Sequence, residues 1–279
     1  MKTMTHLKKI AFSIFMMFAL VISFEASAFT TQKDISFGNL SRDKYDLYLP
    51  KNITDNAPVL FFIYGGGWTS GNRSRYNFVG KSFAKEGIIT AIPDYRLYPE
   101  VTFPAFVEDT ARAFAAVRQR FPNRKIFVAG HSAGAQIGSL LTLDKRYLTQ
   151  VGYSACNSIA GFIGIAGPYD FLPLRRDKFK KIFPEEVRQD SQAVNFAASN
   201  NPPVLLLHGQ RDRTVEAADS VSLSRKLKAA GNPVEAKIYK NVGHIGILTA
   251  LGALPSFGTP TKSDMLQFIK ARSNLPTGC

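Results

Sequence analysis

Cysteine is scarce in this chain: Cys156 and Cys279 are the only two. Neither has a metal-ligand spacing, so a cysteine-based metal centre is excluded, and Cys156 lacks the neighbours that would make it a nucleophile. Histidine is nearly as rare, at four residues, which narrows the choice of a general base. Beyond the first 28 residues no segment is apolar enough to span a membrane. Internal repeats, low-complexity tracts and interdomain linkers are missing as well. Acidic residues are too few to balance the basic ones, 21 against 35, for a net charge of +14. Such an excess favours anionic partners in principle. The lysines and arginines are dispersed, however, and no stretch resembles a nucleic-acid module. The charge is therefore read as surface solubility, and nucleic acid is not expected as a partner.

The N-terminus departs from the rest. Lys2, Lys8 and Lys9 precede an apolar stretch over 10–24, and Ala26-Ser27-Ala28 follows it. That order of charge, apolar core and small residues reads as a cleavable secretory signal over 1–28. A membrane anchor is the rival reading, but the stretch falls short of the roughly 20 residues a span needs, and Glu25 ends it. Export predicts a secreted or periplasmic protein. The two cysteines would then enter an oxidising compartment, where one bridge can form. A single pair offers no spacing pattern to check, so bridged and free forms stay open.

Residues 29–279 suit one domain with a sizeable core. Apolar runs of strand length alternate with helix-like segments, which predicts a mostly parallel sheet covered on both faces. The strands are placed at 45–49, 59–64, 88–93, 125–129, 159–166, 204–208 and 236–239. Helices are placed at 76–85, 105–121, 136–143, 217–230 and 263–271. A basic and aromatic stretch over 171–198 interrupts the alternation, with Arg175, Arg176, Phe179, Lys180, Lys181 and Phe183.

Gly130-His131-Ser132-Ala133-Gly134 lies where one of those strands gives way to a helix. A serine between two glycines at such a junction reads as a nucleophile elbow. The bend leaves no room for side chains two residues to either side, and the following helix aims its first N–H groups at charge developing beside Ser132. His6 falls in the signal, leaving His131, His208 and His244 as candidate bases. His131 adjoins Ser132 and must point away from it, so it is read as packing beside the elbow. His208 ends a buried strand and is read as supporting the loop that follows. His244 stands in a loop after Val242-Gly243 and is the base of choice. The acid is Asp212, in His208-Gly209-Gln210-Arg211-Asp212 at the C-terminal end of a strand, where an α/β sheet presents its functional groups. An N-cap or turn aspartate fits the same composition. Arg211 and Arg213 flank it and are expected to face water. Finally, Tyr64-Gly65-Gly66-Gly67-Trp68 follows the strand at 59–63. The N–H groups of Gly66 and Gly67, with that of Ala133, can form an oxyanion hole.

Together these motifs resemble the α/β-hydrolases of the esterase and lipase group, near small microbial carboxylesterases with a His-Gly-Gly-Gly-Trp turn. Prolyl oligopeptidase and arylformamidase relatives share the pattern. Tyr45 to Pro50, Gly65 to Trp68, Asp94 to Leu97, Gly130 to Gly134, Gly167 to Asp170, His208 to Asp212 and Gly243-His244 carry the likeness. They occur in family order, with Ser132 before Asp212 before His244. The chain departs from the family at Tyr64, where the usual residue is a histidine that braces the turn.

The resemblance implies an α/β-hydrolase fold, with the first strand antiparallel at one edge. It implies that 171–198 forms a small cap, the alternative being a solvated surface helix. Under a cap, Trp68, Phe179 or Phe183 would touch substrate. The implied activity is cleavage of carboxylic esters, small or glycan-linked, through an acyl-enzyme on Ser132 without metal or organic cofactor. Amide or formamide cleavage on the same fold is the rival enzyme reading, and a non-catalytic binding protein is the rival outside enzymes. Asp94, Tyr95 and Arg96 are read as a structural network, and Glu108 and Asp109 as favourable charges near a helix start.

Overall fold

The segments Val59–Ile63, Ile126–His131, Gly161–Ile165 and Val204–Gly209 are buried along their whole length. A wholly buried run of five or six residues, too short for a buried helix, is what a strand covered on both faces requires. In the computed structural model, which describes residues 28–252, 259–276 and 278–279, these runs form the parallel centre of one sheet. The strands are β1 (Phe29–Ser36), β2 (Lys44–Pro50), β3 (Val59–Ile63), β4 (Ile89–Pro93), β5 (Ile126–His131), β6 (Gly161–Ile165), β7 (Val204–Gly209) and β8 (Val234–Tyr239). Their order across the sheet is β1-β2-β4-β3-β5-β6-β7-β8. β2 runs antiparallel to both β1 and β4, and every other pair is parallel. This is the α/β-hydrolase fold.

The strand at 45–49 was expected at the sheet edge, and it is not there. β1 covers it. The sequence of β1, FTTQKDIS, is polar and mostly exposed, so it presents no apolar run to read. The signal segment assigned to 1–28 lies outside the described residues except for Ala28.

Helices flank the sheet: α1 (Asn77–Ala84), α2 (Ala105–Arg120), α3 (Ala133–Leu143), α4 (Lys145–Gln150), α5 (Ala155–Ser158), α6 (Asp177–Ile182), α7 (Ala217–Ala229), α8 (His244–Thr249) and α9 (Thr261–Ser273). All residues of α3 are buried. A mostly apolar helix buried on every side belongs in the interior; it starts directly after Ser132, earlier than the expected 136. His244 is the first residue of α8 and not a loop residue, a second difference from the sequence reading.

Parallel pairing brings the C-terminal ends of the central strands to one edge. Ile63 lies opposite Gly130, His131 opposite Ile165, and Gly209 opposite Tyr239. The segments after β3, β5, β7 and β8 leave from that edge, and they bring to it the glycine turn, Ser132, Asp212 and, at the start of α8, His244. Between β6 and β7 the stretch 171–198 folds into α6 and three 3₁₀ turns. Most of α6 is exposed, but Phe183, which follows it, is wholly buried against Trp68, Phe171, Phe103 and Phe106. A disulfide joins Cys156, in α5, to Cys279 across 123 positions of sequence.

Candidate active site

Ser132 sits at φ 56° and ψ −125°, a left-handed conformation that a non-glycine residue adopts only when its surroundings impose it. Two neighbours make the bend passable. A Cβ on Gly130 would lie 2.2 Å from Gly134 O, and one on Gly134 would lie 2.2 Å from Ile63 O. The Ser132 N–H donates to Ile165 O at 2.9 Å, which locks the turn onto β6.

His244 Nε2 stands 2.9 Å from Ser132 Oγ, and His244 Nδ1 stands 2.7 Å from Asp212 Oδ2. The other oxygen, Asp212 Oδ1, accepts from the N–H groups of Thr214 at 2.8 Å and Val215 at 2.9 Å. His208 backs this loop as read from sequence. Its Nδ1 meets Ser220 Oγ at 2.8 Å, and its Nε2 meets Val215 O at 3.1 Å and Asp212 Oδ2 at 3.3 Å. Burial alone would raise the Asp212 carboxyl, but the hydrogen bonds from His208, His244, Val215 and Thr214 hold it well below the ordinary carboxylate range. Asp212 is therefore an anion that keeps Nδ1 of His244 protonated and leaves Nε2 free to accept from Ser132. Arg211 and Arg213 are both exposed, so the arginines beside the acid do not compete for it.

The glycine turn after β3 is held from two sides. Gly66 has φ +143°, and its carbonyl accepts from the N–H groups of Thr69 at 3.2 Å and Ser70 at 3.1 Å. Gly67 has φ +59°. Among the described residues no acceptor meets the N–H of Gly66, Gly67 or Ala133. Unpaired backbone N–H groups are the kind of donor that can take negative charge. Tyr64 braces the turn at three points. Its ring stacks on Tyr95 at 4.5 Å, its hydroxyl accepts from Arg42 at 2.8 Å, and its carbonyl accepts from Tyr95 Oη at 2.8 Å. Arg42 also donates to Gly71 O at 2.9 Å. Asp94 and Arg96 join the structural network expected of them, through Arg73 and Asp109 respectively. Asp109 is thus the partner of Arg96 and not only a helix-start charge.

The expected pocket aromatics fare differently. Trp68 is 5% exposed and Phe183 wholly buried, with ring centroids 4.8 Å apart. In this arrangement the two rings pack on each other, Trp68 also facing Phe171 and Phe179. Phe179 is half-buried, edge-on to Trp68 at 5.9 Å. Sequence reading missed Gln136. It is wholly buried in α3, accepts from Trp68 Nε1 at 3.1 Å and donates to Ser191 O at 2.9 Å. A glutamine, whose amide needs partners when buried, in a mostly apolar helix was the available signal. Tyr76, read only as a helix start, was missed too. Its hydroxyl accepts from the N–H of Gly65 at 3.1 Å and meets His131 Nδ1 at 3.3 Å. His131 packs beside the elbow as expected. Burial, reinforced by the neighbouring His244, pushes its pKa down to about 3, so the ring is neutral.

The chain is similar to known proteins at a distance. The isoprenylcysteine alpha-carbonyl methylesterase ICME of Arabidopsis thaliana is 29% identical over 76% of this chain and 56% of its own length. Esterase LipC of Mycobacterium tuberculosis is 28% identical over 71% of this chain and 55% of its own. The chain thus spans little more than half the length of these curated relatives. A solved truncated carbohydrate esterase from gut microbiota superposes with a TM-score of 0.74 at 19% identity, covering 89% of this chain and 98% of that one. Sequence evidence that is continuous along the chain comes from the BD-FAE family model. It matches residues 45–227, from β2 into α7 and through both the elbow and the acid loop, so the chain belongs to the BD-FAE family.

Proposed function

We propose that the protein is a serine esterase that hydrolyses carboxylic esters through an acyl-enzyme. The relay from Asp212 through His244 to Ser132, at 2.7 Å and 2.9 Å, carries this reading. Ser132 Oγ attacks the ester carbonyl carbon and passes its proton to His244 Nε2, while the carbonyl electron pair moves onto oxygen. The N–H groups of Gly66, Gly67 and Ala133 stabilise that oxyanion. When the tetrahedral species collapses, the bond to the alcohol breaks and His244 returns its proton to the departing alkoxide. Water then repeats the cycle: His244 takes its proton, the oxygen attacks the acyl carbon, and Ser132 Oγ leaves reprotonated. Protons and electron pairs balance with these groups and water alone.

The relatives named methylesterase and esterase support ester chemistry on this site. Small or glycan-linked esters are the substrate class, and the signal over 1–28 makes the enzyme secreted or periplasmic. The test compares p-nitrophenyl esters of rising acyl length with peptide amides and formylated arylamines. Ester turnover should dominate, and Ser132→Ala should reduce it by about five orders of magnitude or more. A fluorophosphonate should label the parent and not the variant. Full ester turnover by Ser132→Ala overturns the triad, and a parent faster on amides overturns the substrate class.

A further inference from the structure

The triad and its oxyanion donors leave one buried histidine and one tyrosine without a role. We propose that His131 and Tyr76 are positioning residues that tie the oxyanion turn to the segment bearing the base. The inference rests on the esterase reading and goes beyond it.

The Gly65 N–H can only donate, and it meets Tyr76 Oη at 3.1 Å. The His244 carbonyl can only accept, and it meets His131 Nε2 at 3.1 Å. His131 therefore carries its proton on Nε2 and accepts at Nδ1 from Tyr76 Oη, 3.3 Å away. Every donor in the path points the same way, from the glycine turn to the first residue of α8, and each link orients the next. His131 immediately precedes Ser132, so one residue gathers the nucleophile, the oxyanion turn and the base.

Three further observations fit. The rings of His131 and His244 lie 4.8 Å apart. A Cβ on Gly65 would come within 2.7 Å of His131 O and 3.0 Å of His131 Nδ1, so the turn is built to approach this ring closely. The groups that bear on the His131 charge are His244, Asp212 and His208. Its neutrality matters, because a proton on Nδ1 would abolish the acceptor that Tyr76 needs.

A positioning role is read in rate and not in binding, because a small misplacement of the base or the oxyanion donors weakens only the transition state. The test uses the full-length exported protein, with active sites counted by fluorophosphonate labelling so that misfolded molecules do not enter the rate. His131→Phe removes both links and should lower kcat per labelled site by about tenfold to a hundredfold, with KM within about twofold of the parent. His131→Gln keeps a donor in reach of the His244 carbonyl and should restore most of that loss. Tyr76→Phe should lose less than His131→Phe, and adding Tyr76→Phe to His131→Phe should cost nothing further, since the path is already broken.

Parental kcat in His131→Phe, or losses that multiply in the double variant, would overturn the coupling. Were His131→Phe not to fold, parental kcat in Tyr76→Phe would overturn it equally. Failure of the esterase reading looks different: the parent itself would then cleave amides faster than esters, or Ser132→Ala would keep full ester turnover.

Discussion

Three histidines of the described chain stand around one carboxylate and one hydroxyl, and their surroundings divide the work. His244 alone touches both Asp212 and Ser132. His208, wholly buried, spends Nε2 on the acid loop and Nδ1 on Ser220 of α7. His131 is kept neutral by burial, and this has a consequence for stability. In the unfolded chain a histidine takes up its proton near pH 6.5, whereas folded His131 does so only near 3. Between those values the unfolded state binds more protons. Stability should therefore fall as pH is lowered through that window, by up to about 1.4 kcal/mol per pH unit from this residue. Asp212 acts lower still. Its depressed carboxyl contributes stability above about pH 3.9, which is lost as pH falls further. Urea unfolding from pH 6.5 to 4.5 should give a shallower decline for His131→Gln than for the parent, and parallel declines would refute the neutral-ring argument.

Among the elements, the stretch 171–198 has no long apolar run and no strong helical pattern, yet it is firmly attached. Phe183 is the anchor, wedged between Trp68 and the aromatic rings of α2 and its approach. Gln136 adds a polar strut from α3 to Ser191. Lys178 in α6 donates to Thr69 Oγ1 at 3.1 Å, so the stretch also reaches the oxyanion turn. Truncating a wholly buried phenylalanine removes its transfer energy and leaves a cavity, a loss of about 3–5 kcal/mol. Phe183→Ala should show that loss in denaturant unfolding, and Phe179→Ala, half-buried at the start, markedly less. Equal losses would mean the cluster is not centred where its geometry places it. A second clamp fixes the antiparallel edge: Arg73 bonds Asp46 at 2.8 Å and also engages Asp94 and Asp34, joining β1, β2 and the end of β4 to the segment before α1.

At the scale of the whole molecule, the Cys156–Cys279 bridge ties the C-terminal residue back to α5 over a separation of 123 positions. Closing so long a loop restricts the unfolded chain, and removing such a bridge typically costs about 2–5 kcal/mol. It also agrees with the export read from residues 1–28, since an oxidising compartment would preserve it. Protein recovered after export should have a mass that begins at Phe29 and is lower by two hydrogens than the reduced form. Reduction should lower its unfolding midpoint. A mass that includes residues 1–28, or two free thiols in the unreduced protein, would contradict export with oxidation.

The core strands were legible in the sequence because each is a short apolar run bounded by breakers, and burial on both faces demands such a run. The elbow and the glycine turn were legible because close backbone approach leaves glycine no substitute at Gly130, Gly134 and Gly66. Chain order also suggested which serine, aspartate and histidine to compare. Contacts across sequence decided the rest. β1 is a strand only because β2 offers it an edge, so no pattern of its own reveals it. That the Trp68 and Phe183 rings meet edge to face was likewise invisible in the sequence, where they lie far apart. Ser132 and His244 meet across 112 positions, and the path through Tyr76 and His131 joins segments just as remote. Proximity of that kind is a property of the assembled sheet and of the segments that leave the C-terminal ends of its strands, and residue type alone does not encode it.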